Sequence, residues 1–377
     1  MNQPESRFSA SIAQNERRES PFHVDFRQAP FVAIWEVTRA CNLACIHCRA
    51  SAQPKRNPLE LTTEEGFALL DEIKRFGDPL FVITGGDPMK RPDLLDLVNH
   101  ATHIGLRTAL TPSGTPLVKS HHIQALKEAG LKRLAISLDG PNADSHDRFR
   151  RVPKSFEWTM GIVRLADEAG IPIQINTTIH RFNVDMLDQM HETVAGLPGM
   201  ALWSVFFLVP TGRGRLEDEI SAEEFEQVFN RLYDFSRQAP FDIKTTAAPH
   251  YRRVVIQRGG SRVLGAIPQD SDIARAPKGV TDGCGFVFIS HIGEVFPSGF
   301  LPIDCGNVRT ASLVDIYRNH PIMIDLRSPD RYKGKCGYCE FRYVCGGSRA
   351  RAYSVTGDYM ESDPFCVYQP NRKEHAA

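Results

Sequence analysis

The sequence predicts an α/β protein, a partial (β/α)6 barrel of parallel strands followed by a small cysteine-rich domain. Between residue 31 and about residue 247, short β-rich runs alternate with helical stretches, the rhythm of strand–helix units around a parallel sheet. The cysteines fall into two groups: Cys41, Cys45 and Cys48 near the start, none until Cys284, and six from there to Cys366. In that last part glycine and cysteine dominate and long helical patterns fade, as in a small domain stapled by metal.

The strands are expected at Phe31 to Val37, Leu80 to Thr84, Arg107 to Thr111, Leu134 to Leu138, Pro172 to Ile179 and Leu202 to Val209. Helices fit between them. Thr62-Thr63-Glu64-Glu65 opens one with a cap and early acids, and Phe225, Val228, Phe229, Leu232 and Phe235 give another a core-facing stripe at helical spacing. Residues 26–250 form the expected barrel, behind a polar leader over 1–25. Residues 251–283 are rich in Arg, Gly, Pro and Asp with weak periodicity and are expected to be a connector to the cysteine-rich domain at 284–377.

Composition excludes several function classes. The 45 basic and 45 acidic side chains cancel, so no strongly positive surface is available for nucleic acid or an anionic membrane. The most apolar run, Ala201 to Val209, is far shorter than the roughly 20 residues that cross a bilayer. No apolar signal core occupies the first two dozen residues, so a cytoplasmic location is expected. The cytosol keeps thiols reduced, and nine cysteines there point to metal binding, not disulfides.

Catalytic groups of a parallel α/β barrel sit at the carboxyl ends of its strands. The first such loop is Cys41-Asn42-Leu43-Ala44-Cys45-Ile46-His47-Cys48, three thiols within eight residues. A four-iron cluster held by three thiolates keeps one iron open for a ligand that is not protein. A zinc site completed by His47 or a distant residue is the bland alternative.

This CxxxCxxC spacing after the first strand resembles the signature of the radical S-adenosylmethionine (SAM) superfamily. The resemblance implies a [4Fe–4S] cluster whose open iron chelates SAM, and reductive cleavage of SAM to a 5′-deoxyadenosyl radical that abstracts a substrate hydrogen. It places His47 where relatives carry an aromatic residue near the adenine. Ile83-Thr84-Gly85-Gly86-Asp87-Pro88 resembles the family's Gly-Gly-Glu-Pro element, with Asp87 in place of Glu, so Gly85, Gly86 and Asp87 are expected to receive the methionyl amino group. Thr111 and Ser137, at the ends of the third and fourth strands, are the expected ribose and carboxylate contacts, with Asp139 as second choice. In the run His146-Asp147-Arg148-Phe149-Arg150 an arginine is similarly expected near the SAM carboxylate.

In the second group, Cys336-Gly337-Tyr338-Cys339 is followed by Cys345 and Cys366, four soft ligands that suit either a structural zinc or a cluster. The segment resembles the SPASM extension of radical SAM proteins, whose cysteines hold auxiliary [4Fe–4S] clusters. Two family cysteine positions fall on Ser298 and Arg349, both serving the first auxiliary cluster. One auxiliary cluster is therefore expected, on Cys336, Cys339, Cys345 and Cys366, with Cys284 and Cys305 free or incidental.

For substrate, Leu208 to Gly214 and Lys244 to Arg253 resemble segments of SPASM proteins that modify tetrapyrrole side chains; peptide maturases share the layout. Within the second segment, Pro249-His250-Tyr251-Arg252 offers an arginine for a propionate and a histidine for a metal or proton. The expected activity is hydrogen abstraction from a tetrapyrrole side chain, fed by a reductant such as a flavodoxin or ferredoxin, with maturation of a ribosomally made peptide as the alternative. A zinc-binding interaction module is the reading from another class. Ordinary methyl transfer from SAM lacks a Gly-x-Gly-x-x-Gly fingerprint after the first strand and would leave the cysteine loop unused.

Overall fold

A computed structural model of the chain describes residues 24–259 and 279–370. Almost all of the expected leader, and much of the expected connector, lie outside the described residues. All six expected strands form within two residues of their expected bounds: β1 (Val32–Glu36), β2 (Leu80–Thr84), β3 (Arg107–Leu110), β4 (Arg133–Ser137), β5 (Ile173–Ile179) and β6 (Met200–Phe207). They line up in sequence order and pair in parallel. Helices α1 (Thr63–Lys74), α2 (Leu94–His103), α3 (Ser120–Glu128), α4 (Ala143–Arg150), α5 (Ser155–Glu168), α6 (Leu187–Ala195) and α7 (Ala222–Ser236) fall between or after them.

Three further strands extend the sheet beyond the six expected. β7 (Asp242–Thr246) pairs in parallel with β6, β8 (Phe286–Ile289) pairs in parallel with the free side of β1, and β9 (Val295–Phe296) runs antiparallel to β8. The part expected to be separate from the barrel thus contributes to the barrel's own sheet. β7 escaped notice because Asp-Ile-Lys-Thr-Thr carries one large apolar side chain, and β9 because it is two residues long. A helix, α8 (His250–Gln257), stands in the segment expected to be irregular. Beyond β9 come the short helices α9 (Leu313–Asn319), α10 (Pro321–Leu326), α11 (Gly334–Tyr338) and α12 (Arg349–Thr356).

Local sequence accounts for the helices. Thr62 and Glu65 form a reciprocal capping box on α1, and Ser221 and Glu224 do the same on α7. The α7 stripe is as expected, with Phe225, Val228, Phe229 and Leu232 buried and Phe235 packed against the core.

The two faces of the sheet differ. Trp35 of β1 points outward onto α1, where a Cβ added to Gly66 would sit 2.8 Å from the indole, so glycine sets how closely the helix approaches. The apolar residues of β5, Ile173, Ile175 and Ile179, are buried with Thr177, whereas Gln174, Asn176 and Thr178 are only partly buried. Alternation at period two therefore sends the apolar set under the helices and leaves the concave interior polar and accessible.

Candidate active site and cysteine centres

The cysteine loop leaves β1 and is tied to three neighbours. Ala44 and Ile46 donate backbone bonds to Arg150 and Phe149 at the end of α4 (3.3 and 3.2 Å), and Arg213, after β6, donates to the Cys48 carbonyl (3.0 Å). Both ends of the loop converge on Glu36, at the last position of β1. This fully buried carboxylate lies 3.0 Å from Arg39 Nε, 2.9 Å from an Arg49 guanidinium nitrogen and 3.4 Å from His291 Nδ1. Burial acts to raise its pKa, but Arg49, His291 and Arg39 together hold it below the usual carboxylate value. Sequence reasoning missed Glu36, although an acid ending a buried strand was the available signal.

The loop presents sulfurs as acceptors. Leu43 N–H donates to Cys41 Sγ (3.3 Å), Ala52 N–H to Cys48 Sγ (3.5 Å) and an Arg150 N–H to Cys45 Sγ (3.4 Å). Donors aimed at sulfur favour the thiolate, the form that ligates iron, so the three residues fit cluster ligands. Without such a metal, burial dominates and raises the Cys41 and Cys45 thiols, with Ser113 and Arg150 respectively pulling the other way.

The expected SAM contacts surround this loop. Gly85 and Gly86 pack on the backbone that enters it: a Cβ on Gly85 would lie 2.7 Å from the Thr38 carbonyl, and one on Gly86 would lie 2.5 Å from that of Arg39. Glycine is thus needed for contact with protein backbone, a role that the expectation of ligand approach did not include. Asp87 is fully buried, and its carboxylate accepts bonds from Thr115 Oγ1 (2.8 Å), Met89 N–H (3.2 Å) and Ser113 N–H (3.4 Å). Its side chain staples the loops after β2 and β3. Ser113 Oγ donates to the Gly86 carbonyl (2.6 Å) and lies 3.4 Å from Cys41 Sγ, a link that sequence reasoning did not single out. Thr111 follows β3 and Ser137 closes β4, both partly buried.

His47 stacks on Phe149 with centroids 4.3 Å apart, and Phe149 stacks in turn on His180 at 3.9 Å. Desolvation keeps His47 neutral, its pKa lowered to about 3. Asp139 is engaged by Arg150 and by Thr178 N–H (2.8 Å), so neither partner of that ion pair stands free. Arg213 differs: its Nε and one terminal nitrogen are buried beside the loop without a partner among the described residues.

In the second centre, Cys336, Cys339, Cys345 and Cys366 line one pocket together with His250, Arg253 and Lys335. Among the described residues no three His, Cys, Asp or Glu side chains converge as one metal ion requires; the four thiols share a pocket without forming a finished ligand sphere. Gly347, at φ +69°, donates to Cys345 Sγ (3.4 Å), and a Cβ on it would sit 3.1 Å from Cys336 Sγ. Burial raises Cys345, Cys339 and Cys366, with the neighbouring thiols adding to the rise at Cys345 and Cys339, and Lys335 opposing it at Cys366.

The two positions that lack family cysteines are filled by a polar staple. Ser298 Oγ donates to Asp282, whose other oxygen accepts Ala350 N–H (3.0 Å) at the start of α12. Arg349 is fully buried, donates to the carbonyls of Glu361 (2.6 Å) and Tyr359 (3.2 Å), and reaches Cys336 Sγ (3.6 Å). Cys305 lies in the main apolar core, and Cys284 packs beside Phe26 and Phe31.

The expected propionate clamp is not in the barrel. His250 Nε2 lies 3.0 Å from the buried Asp363, Arg253 pairs with Glu226, and Arg252 reaches the Val344 and Val280 carbonyls (3.4 Å each). These residues join α8 to the C-terminal segment. Arg351 completes the junction, donating to the carbonyls of Leu208 (2.9 Å) and Ala247 (2.8 Å) at the ends of β6 and β7.

A family model described as the radical SAM superfamily matches residues 35–194. An AdoMet-dependent heme synthase of Oleidesulfovibrio alaskensis is 44% identical over 91% of this chain and 88% of its own length. The chain belongs to the radical SAM superfamily. An AdoMet-dependent heme synthase of Methanosarcina barkeri is 39% identical over 92% of this chain and 98% of its own. The crystal structure of Streptococcus suis SuiB bound to precursor peptide SuiA shares the fold, with a TM-score of 0.67 at 16% identity over 98% of this chain and 82% of its own. The zinc-module reading falls with family membership: the chain is a radical SAM enzyme. No helix among the described residues is long and apolar enough to cross a membrane.

Proposed function

We propose that this radical SAM enzyme abstracts hydrogen from a side chain of a tetrapyrrole. The observation that carries the substrate class is the 44% identity with a heme synthase across nine-tenths of the chain. When bound, a [4Fe–4S] cluster on Cys41, Cys45 and Cys48 supplies the electron that cleaves SAM to the 5′-deoxyadenosyl radical.

The chain's own residues bind and orient. The Gly85–Asp87 backbone, fixed in shape by the Asp87 carboxylate, receives the methionyl amino group. His47, backed by Phe149, offers a flat neutral surface to the adenine, while Thr111 and Ser137 hydroxyls take the ribose and carboxylate. Arg213 provides a further unspent cation beside the loop for that carboxylate. Cys336, Cys339, Cys345 and Cys366 hold one auxiliary cluster, because Ser298 and Arg349 occupy the positions a second would need. A cytoplasmic flavodoxin or ferredoxin supplies electrons.

The test is anaerobic incubation of cluster-loaded enzyme with dithionite, SAM and either Fe-coproporphyrin III or a candidate precursor peptide. The expected result is 5′-deoxyadenosine together with a porphyrin of altered mass, and about eight irons per chain. Conversion of the peptide with the porphyrin untouched would replace this reading by peptide maturation, and about twelve irons would replace the single auxiliary cluster by two.

A further inference from the structure

Arg133 and Lys244, two cations on the sheet, have no hydrogen-bond or ion-pair partner among the described residues. Arg133 opens β4 and Lys244 is the middle residue of β7. Their neighbours fix the direction they face: Leu134, Ile136 and Ile243 pack in the apolar core under the helices, so Arg133 and Lys244 point to the concave interior. Register agrees. Lys244 pairs with Ser204, Ser204 with Asn176 and Asn176 with Ser137, a row of inward polar residues across four strands.

Neither cation makes a hydrogen bond or ion pair among the described residues, and Arg133 Nε is buried without an acceptor. Lys244 is exposed to water, on the terminal strand of the sheet. Desolvation, then repulsion from Arg133 and Arg252, lowers its pKa to about 8, and desolvation lowers that of Arg133 to about 10. Like charges gathered without a counter-charge are costly, and an anion placed between them relieves the cost. The chain as a whole is neutral, so this is a local concentration of charge.

We propose that Arg133 and Lys244 form a carboxylate-binding subsite in the barrel interior that holds acidic side chains of the substrate. Identification of those acids as tetrapyrrole propionates rests on the proposed function. Four residues of strand separate Arg133 from Ser137, about 13 Å at 3.3 Å each, so a ligand anchored at Arg133 must span that length to meet SAM. A four-ring macrocycle with acids around its rim has that reach. SAM has a carboxylate too, but Arg213 stands beside the cysteine loop for it, whereas Arg133 lies at the opposite end of its strand from Ser137.

The experiment uses anaerobic, cluster-loaded enzyme titrated by absorbance with Fe-coproporphyrin III, with its tetramethyl ester and, separately, with SAM. Lys244→Met and Arg133→Met are expected to weaken binding of the free acid by about tenfold or more, and Lys244→Arg by no more than about threefold. The ester should bind all four proteins alike, and so should SAM. Unchanged affinity of the Met variants for the acid, or loss of SAM affinity in its place, overturns the subsite.

If the wild-type protein binds no porphyrin, the tetrapyrrole reading fails separately, and the subsite is then decided by NMR of 13C-methylated lysines with mellitate as the probe. A carboxylate-binding subsite requires the Lys244 pKa to climb from about 8 toward the ordinary lysine value, with no climb in Arg133→Met. An unmoved Lys244 signal overturns it.

Discussion

The chain carries two cysteine centres that differ in how they are closed and how they are charged. On the first loop Cys41 and Cys45 are buried and Cys48 is partly buried, packed with Leu43; in the C-terminal pocket Cys336 is buried while Cys339, Cys345 and Cys366 are partly buried, walled by α8, α11 and the turn at Gly346 and Gly347. Each has a buried arginine that reaches a cysteine sulfur. Arg150, beside Cys45, is paired with Asp139, while Arg349, beside Cys336, donates to backbone carbonyls and makes no ion pair among the described residues. Charge and hydrogen bonding at sulfur set cluster potentials. With the proposed clusters in place, the second would lie beside a buried guanidinium that has no acidic partner among the described residues, and positive charge there favours a reduced cluster.

The largest expected effect separates the two centres outright. Replacing Cys41, Cys45 and Cys48 together by alanine should abolish 5′-deoxyadenosine formation, measured by mass spectrometry. Cys345→Ala should instead halve the iron content and abolish substrate turnover while 5′-deoxyadenosine still forms. Equal loss of 5′-deoxyadenosine from both variants would erase the division of labour.

A smaller effect concerns the junction that carries the second centre against the barrel. Arg351 sits between two buried carboxylates with opposite fates, 3.3 Å from Glu219 and 3.5 Å from Asp363. Burial acts to raise Asp363, but His250, Arg351 and the Ser348 N–H overcome it and hold its pKa well below the carboxylate range. For Glu219 burial wins: despite the pull of Arg351, and with repulsion from Asp363, its pKa rises to about 7.

The signs then oppose. Asp363 contributes stability at neutral pH that is lost as pH falls through the acid range, because the unfolded chain takes up its proton first. Glu219 is proton-bound in the folded protein between about pH 4.5 and 7, so its contribution is present below that window and vanishes as pH rises through it, a change on the order of 3 kcal/mol. Thermal melts should show Asp363→Asn destabilised at pH 7, and Glu219→Gln at least as stable as wild type at pH 8 with a flatter profile from pH 5 to 8. Identical profiles for wild type and Glu219→Gln would remove the assignment.

Arg349 sharpens the comparison further. Arg349→Met should lower the midpoint potential of the auxiliary cluster in an EPR-monitored redox titration, by tens of millivolts as an order of magnitude, while Arg349→Lys recovers part of it. The first cluster's potential should not move. A shift in both, or in neither, would show that the uncompensated charge does not act where the geometry places it.

The sequence revealed whatever depends on periodicity and spacing. Six strands, the α7 stripe and both cysteine groups could be read because each is a local pattern. β7 could not, since its strand character comes from pairing with β6, whereas β8, Phe-Val-Phe-Ile, carried a local signal that was passed over in a segment read for its cysteines. The same limit applied to side chains. The segment from Lys244 to Arg253 was singled out, but the sequence could not tell which cation faces the barrel: Lys244 does, whereas His250 and Arg253 turn to the C-terminal pocket. Glu36 went unnoticed, and Arg213 was included only as part of the Leu208 to Gly214 segment, because their significance lies in partners made, or left unmade, after folding.

The smallest expected effect falls on His47, the one departure from the family's aromatic residue in the first loop. One of its faces rests on Phe149, and burial keeps the ring uncharged. If its task is to offer a flat surface to the adenine, then ring shape matters and the imidazole nitrogens do not. His47→Phe should keep SAM affinity within about threefold of wild type, and His47→Ala should weaken it by about tenfold, both read by titration of the cluster-loaded enzyme. If His47→Phe falls as far as His47→Ala, a nitrogen of His47 is engaged by SAM; its Nδ1, buried without a partner among the described residues, is the atom available for that bond.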